Sequence, residues 1–312
     1  MTTDSSVSRS RPTFRQVKAA REPFERVIEV LLFLAAVSSV LTTFGIMYVL
    51  VGDTIEFFKE VPLSDFFNIF EPKWTPLFED KHFGILTLIA PTMVTTGVSV
   101  LFAVPIGTII AIYLSEYAMG GLREWLKPIL EILAGIPSVV FGYFALLVVT
   151  PLLQKIYPDL GGFNMLSAGL VMGISIVPLI SSIAEDAMRA VPVQMREGAY
   201  AVGATKIQTA LQVVVPSAIS GIIAGYILGI SRSIGQTMIV GIAAGLQTTY
   251  TWNPLDGAAT ISAYIMQVSQ GDIANGTLEY NTIFAAGLTL VLLTLVLNLI
   301  GYWLIRKYRE IY

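Results

Sequence analysis

The stretch Ala218–Gly245, AISGIIAGYILGISRSIGQTMIVGIAAG, decides the fold. It is long and apolar enough to cross a bilayer, which takes about 20 mainly apolar residues. Yet it carries Arg232, some 15 residues in. At 1.5 Å per residue that is roughly 22 Å from the start of a helix, near the bilayer centre. An arginine stem reaches only about 6 Å, so the charge does not snorkel to either surface. Placing it there costs at least about 2.5–3.5 kcal/mol, so it must face protein or water. Ser231, Ser233, Gln236 and Thr237 surround it, with Gln236 one turn on along the same face. Two readings stand. One is a buried ion pair with Glu131, or with Glu185 and Asp186. The other is a transient site for an anion crossing the membrane, with Arg232, Ser233, Gln236 and Thr237 along the path. A guanidinium suits an oxyanion because its planar fork of donors matches two oxygens and stays charged at any pH. Glu131 lies about five residues from the end of its own span and reads as too shallow to neutralise Arg232 directly.

The same stretch repeats a small residue every fourth position: Gly221, Gly225, Gly229, Ser233, Thr237, Gly241 and Gly245. Such spacing lets helix backbones approach closely in lipid, where packing drives association. Gly221, Gly225 and Gly229 are therefore helix-packing candidates, against this chain or a second subunit.

The rest of the chain reads the same way. Of its 312 residues, 54% are hydrophobic and 13% charged, with mean hydropathy +0.72. Soluble domains carry about 25% charged residues. A net charge of −3 and a pI near 5.3 give no footing for nucleic acid. No cysteine is present, which excludes disulfides, thiolate metal sites and cysteine nucleophiles. The single histidine, His82, supports no metal site and reads as a loop residue at the membrane surface. No metal ligand set and no catalytic residue is expected.

Six runs qualify as spans: Val27–Leu50, Ile85–Leu114, Leu126–Val149, Phe163–Met188, Ala218–Gly245 and Thr282–Ile305. The expectation is an all-α integral membrane protein with lipid as its main solvent. The first span follows a polar tail (1–26) and has too long an apolar stretch for a cleaved signal peptide. Internal prolines (Pro91, Pro105, Pro137, Pro178) predict kinks that neighbouring helices re-satisfy. Fourteen of the nineteen Lys and Arg residues fall on one side, including six in the tail and Arg306, Lys307 and Arg309 at the C-terminal end (306–312). The positive-inside rule then puts both termini in the cytoplasm. The opposite side begins with an acidic, aromatic connection, 51–84, holding Phe57, Phe66, Phe67, Phe70, Trp74 and Phe78. It reads as an interfacial aromatic belt or as a docking surface for an external partner. A short amphipathic helix is predicted near Ala258–Val268, then a turn-rich return over Gly271–Tyr280.

Between the fourth and fifth spans, residues 189–217 are too polar to cross and too long for a tight turn. They read Glu197-Gly198-Ala199, three residues, Gly203, nine residues, Val213, one residue, then Val215-Pro216. A short helix over Gln194–Ala201 presenting Glu197 and Tyr200, a turn at Gly203 and a helix started by Pro216 are predicted. No lysine here is followed by Ser or Thr, so the Walker phosphate cradle is absent and ATP hydrolysis must come from elsewhere.

This loop resembles the E-A-A-x3-G-x9-I-x-L-P segment of bacterial ATP-binding-cassette importer permeases, with Gly198, Val213 and Val215 as small or apolar exchanges. Phe83-Gly84-Ile85-Leu86, Ala103-Val104-Pro105-Ile106-Gly107, Tyr113-Leu114-Ser115-Glu116-Tyr117-Ala118, Gly135-Ile136-Pro137-Ser138 and Ser231-Arg232-Ser233-Ile234-Gly235-Gln236-Thr237 resemble the phosphate permease family, PstC and PstA. The long outer loop with Trp74-Thr75-Pro76 and the basic tail look more like PstC. The resemblance implies a type I importer (MetI-like) permease core over 85–305 and phosphate passage at Arg232. It also implies ATPase coupling through Glu197, Gly198, Ala199, Tyr200, Gly203 and Pro216. The implied partners are a PstA-like second permease, two PstB-like ATPases that bind ATP and Mg, and a PstS-like periplasmic phosphate-binding protein. Gln236 stands where that family usually has glutamate. Rival readings are a permease for phosphonate, sulfate or molybdate, and an ATP-independent anion carrier.

Overall fold

The computed structural model of the protein describes residues 14–118, 120–271 and 273–307. Arg9, Arg11 and Arg309 of the expected cytoplasmic charge lie outside the described residues. The chain divides into two units, Met1–Gly52 and Asp53–Tyr312.

Helix α1, Phe14–Glu60, carries the first apolar run and continues beyond it, so the first ten residues of the expected outer connection are helical. A short α2, Leu63–Phe66, follows. Then come α3, Leu86–Tyr117, whose last turn is π-helical, α4, Gly120–Gly135, and α5, Ser138–Gln154. The next elements are α6, Met165–Arg189, α7, Val193–Ala201, and α8, Lys206–Ser217. The chain ends with α9, Ile219–Ile234, α10, Met238–Ala243, α11, Ile261–Ser269, and α12, Leu278–Lys307. Apart from an isolated bridge between Trp74 and Phe83, the described residues hold no strand.

Among the described residues, four helices are long and apolar enough to cross a membrane: the α1 part Glu25–Glu60, α3, α6 and α12. The other two expected spans are not single straight helices: the third is broken within its length, and the fifth is preceded at its first residue, Ala218, by a sharp bend from α8, part of the expected cytoplasmic loop. α4 and α5 meet at 87° across Ile136-Pro137, and α8 and α9 meet at 72° at Ala218. Proline disfavours helical geometry in the residue before it, and at Ile136-Pro137 the chain leaves the helix, so the third span is two pieces where one kinked helix was expected. Counting each bent pair once gives six spans. Pro216 does not start the fifth span; it sits in the last turn of α8, and the bend follows it.

The fifth span is also interrupted further on. α9 ends at Ile234 and α10 begins at Met238, so Gly235, Gln236 and Thr237 form a break. A break at membrane depth exposes backbone groups that must find partners in protein. Ser262 Oγ donates to the Gln236 carbonyl at 2.8 Å, and the Asn164 amide to the Ala243 carbonyl at 3.0 Å. Gly245 lies past the end of α10 with φ +86°, a left-handed position suited to glycine.

The small-residue pattern packs α9 against α6 of the same chain. A Cβ added at Gly221 would overlap Ala187, one at Gly225 would lie 3.2 Å from Ile183, and one at Gly229 2.9 Å from Ile180. α6 uses Gly169 and Gly173 in the same way to approach α3 at Val98 and Phe102. α6 is thus the central helix, buried along most of its length. Gly221→Leu is expected to destabilise the detergent-purified protein by about 1–3 kcal/mol. This reads as a lower thermal midpoint; an unchanged midpoint would contradict the α9–α6 contact.

The aromatic connection is neither wholly a belt nor wholly a surface. Phe57, Phe66 and Trp74 are fully buried and stack edge to face with one another and with Phe58, Phe83 and Tyr264 at 5.1–6.4 Å. Edge-to-face rings gain beyond burial alone. Phe67, Phe70 and Phe78 remain exposed. His82 lies in the same segment, its amide donating to Thr75 Oγ1 at 3.1 Å. The predicted amphipathic helix is α11, but most of it is buried: its amide at Ile261 donates to Thr92 Oγ1 of α3 at 3.1 Å.

Candidate substrate path and coupling loop

Three consecutive residues near the end of α9 point to three neighbours, because each helical step turns about 100°. Ser231 Oγ donates to Asn298 Oδ1 of α12 at 2.7 Å. Ser233 is buried, its hydroxyl 2.8 Å from that of Ser99 on α3. Arg232, between them, opens onto a cavity of about 210 Å³ walled by α4 and α6. Lys127, Glu131, Pro178, Ser182 and Glu185 line it too.

Arg232 is exposed, and among the described residues no carboxylate lies within 4.0 Å of its guanidinium. The fixed ion pair weighed for it is therefore not formed. Glu185, one candidate partner, is fully buried and held elsewhere: Arg123 Nη2 and Nε each lie 2.6 Å from its Oε1, Lys127 Nζ is 3.5 Å from Oε2, and Arg189 is at 3.9 Å. Asp186 takes Lys127 at 3.2 Å. Glu131 lines the same cavity as Arg232 but makes no ion pair with it, in keeping with the expectation that it does not neutralise Arg232 directly.

The other expected path residues do not gather around Arg232. Ser233 is spent on helix packing. Gln236 and Thr237 lie in the break rather than one turn on along α9. Thr237 Oγ1 donates to the Gly235 carbonyl at 3.3 Å. The sequence reading missed Lys127, Pro178 and Ser182; the Gly-Ile-Pro interruption and Gly235 were the signals for a broken geometry.

A second, larger cavity of about 540 Å³ lies at the aromatic end, lined by Trp74, Pro76, Gln247, Thr249, Tyr264 and Gln267 among others.

The polar loop folds as α7 and α8. α7 begins after Pro192 and ends at Ala201, with Gly203 at φ +86° taking the left-handed turn that a side chain resists. Thr205 starts α8 with a reciprocal capping box to Gln208. Tyr200 is exposed on α7, as are Glu197 and Gly198. Arg196, next to Glu197, points the other way. Its Nη1 and Nη2 donate to the carbonyls of Val191 and Met188 at 2.7 Å, and Nη2 reaches Glu116 Oε1 at 3.1 Å. Both side chains are mostly buried, 16% and 6% exposed. One guanidinium thus ties α7 to the C-terminal end of α6 and the π-helical turn of α3.

Residues 103–310 match the family described as the binding-protein-dependent transport system inner membrane component. The chain belongs to that family. The permease is 34% identical over 227 residues to a probable ABC transporter permease protein, YqgH of Bacillus subtilis, covering 73% of each. It is 34% identical over 253 residues to the phosphate transport system permease protein PstC of Mesorhizobium japonicum, covering 75% of the permease and 76% of that protein. Its fold is similar to a chain in the crystal structure of a bacterial alginate ABC transporter in complex with an alginate pentasaccharide-bound periplasmic protein. The TM-score is 0.63 at 19% identity, over 93% of the permease and 98% of that chain. A chain of the inward-facing MetNI methionine ABC transporter gives 0.54 at 19% identity, over 73% and 95%. The all-helical, type I importer fold expected from the sequence is thus the fold of this permease.

Proposed function

We propose that this permease passes inorganic phosphate through a bacterial inner membrane by alternating access, with Arg232 on the anion's path. The observation that carries the reading is a guanidinium at a helix break, opening onto a cavity without a carboxylate bound to it. A permanently charged fork without a fixed counter-ion is an anion site, and its planar donors match a tetrahedral oxyanion. The PstC relatives favour phosphate as that anion.

In this reading the permease works beside a PstA-like second permease, two PstB-like ATPases that bind ATP and Mg, and a PstS-like phosphate-binding protein, the partners that the resemblance to the phosphate permease family implies. The N-terminus is assigned to the cytoplasm by the Lys and Arg asymmetry. Closure of the ATPases is transmitted through α7 and α8, the proposed coupling segment with Glu197, Gly198, Ala199, Tyr200, Gly203 and Pro216.

Reconstitution of the permease with its co-purifying subunits tests the reading. Labelled phosphate is expected to accumulate only with ATP, with phosphonate, sulfate and molybdate competing poorly. Accumulation without an ATPase would instead make the chain an ATP-independent carrier, and efficient competition by another oxyanion would reassign the substrate. Glu197 is exposed on α7, so Glu197→Arg is expected to abolish co-purification of the ATPases. Retained co-purification with coupled ATP turnover would contradict docking at α7.

A further inference from the structure

Four ionisable side chains line the cavity at Arg232: Lys127, Glu131, Glu185 and Arg232 itself. Two are already matched. Glu185 is clamped by Arg123 at 2.6 Å, and Lys127 lies between Glu185 at 3.5 Å and Asp186 at 3.2 Å. The remaining two, Arg232 and Glu131, make no ion pair with any described residue. Glu131 is exposed, as Arg232 is, and makes no side-chain hydrogen bond among the described residues, so a carboxylate open to a ligand shares the cavity with a guanidinium open to one.

A bare carboxylate beside an anion path is a liability for most anions. An ionised carboxylate only accepts hydrogen bonds, so a fully deprotonated oxyanion meets repulsion and gives nothing back. Orthophosphate at neutral pH still carries at least one P–OH; sulfate and molybdate carry none. A P–OH turns the carboxylate from a repulsive group into a charge-assisted acceptor, while Arg232 takes the unprotonated oxygens. Discrimination by a repulsive element is a general route to specificity.

We infer that Glu131 selects protonated tetrahedral oxyanions: Arg232 binds the anion's charge and Glu131 accepts its hydroxyl. Phosphate and arsenate satisfy both groups. Sulfate and molybdate satisfy Arg232 alone. This rests on the reading of Arg232 as an anion site, and it adds the group that sets the substrate class.

Equilibrium binding of radiolabelled orthophosphate and sulfate to the purified complex in lipid nanodiscs, without ATP and without the external binding protein, tests it. The wild-type complex is expected to bind phosphate, to release it to arsenate and to resist sulfate. Glu131→Gln removes the negative charge at constant size. It is expected to shift the sulfate-to-phosphate affinity ratio toward sulfate by roughly ten- to a hundredfold, the worth of a charge-assisted hydrogen bond. Glu131→Asp, which keeps the acceptor, is expected to retain discrimination. An unchanged ratio in Glu131→Gln overturns the inference about Glu131. Wild-type phosphate binding by Arg232→Lys overturns the Arg232 reading instead, so the two failures are told apart.

Discussion

Arg232→Lys is expected to abolish phosphate uptake, or cut it by more than about a hundredfold, while the protein reaches the membrane at normal level. Lysine keeps the charge but offers a point ammonium in place of a planar fork. In a cavity where Arg232 has no carboxylate partner, the guanidinium contributes little to holding the fold together. The variant should therefore assemble with its partners and retain its thermal midpoint. Uptake of labelled phosphate in cells lacking the native gene, with membrane level measured in parallel, gives the result. Uptake at the wild-type rate would show that the passing anion does not use the fork. Loss of the protein from the membrane would show a structural role instead.

The second large effect concerns the strut between α7, the proposed coupling helix, and the transmembrane core. Arg196 donates to the Met188 carbonyl at the end of α6, to the Val191 carbonyl in the turn that follows, and to Glu116 in the π-helical turn of α3, in a mostly buried position. Removing one partner of a buried pair leaves an uncompensated charge, costing about 3–5 kcal/mol. The carbonyls of Met188 and Val191 still hold Arg196 in place when Glu116 is neutralised, so the loss falls on the link between α7 and α3. Glu116→Gln is expected to leave subunits assembled and ATP turning over, with phosphate delivered per ATP reduced by tenfold or more. The charge-exchanged pair Glu116→Arg with Arg196→Glu is expected to recover part of it. Transport that keeps its wild-type ratio to ATP turnover in Glu116→Gln would show that α7 drives the core by another contact.

Much of this was legible along the chain. Gly203 was readable as a left-handed turn, and it takes φ +86°. Gly221, Gly225 and Gly229 announced a close helix contact through their spacing, although spacing alone did not say that α6 was the neighbour. Hydropathy, by contrast, is blind to direction. It registered Leu126–Val149 and Ala218–Gly245 as single runs, because an interrupted helix and a continuous one have the same composition. Pro137 signalled a kink but not one of 87°, since the angle depends on what the two pieces pack against. Gly235 gave a weak signal, because glycine is common in intact membrane helices. That break moved Gln236 and Thr237 off the face of Arg232. The burial of Trp74 depended on Tyr264, a residue far away in sequence with no local pattern to announce it. Arg196 was hidden for the same reason: its partner Glu116 lies on another span, and only the folded chain puts them 3.1 Å apart.

The absence of cysteine from the sequence makes one measurement especially direct. Ser182 is half-buried in α6 and lines the cavity with Arg232, so Ser182→Cys places a single thiol beside the proposed path. In the assembled, nucleotide-free complex, a charged, membrane-impermeant thiol reagent is expected to label this cysteine, and phosphate is expected to slow the labelling several-fold. Labelling at the same rate with and without phosphate, or none in any nucleotide state, would contradict an anion path at Arg232.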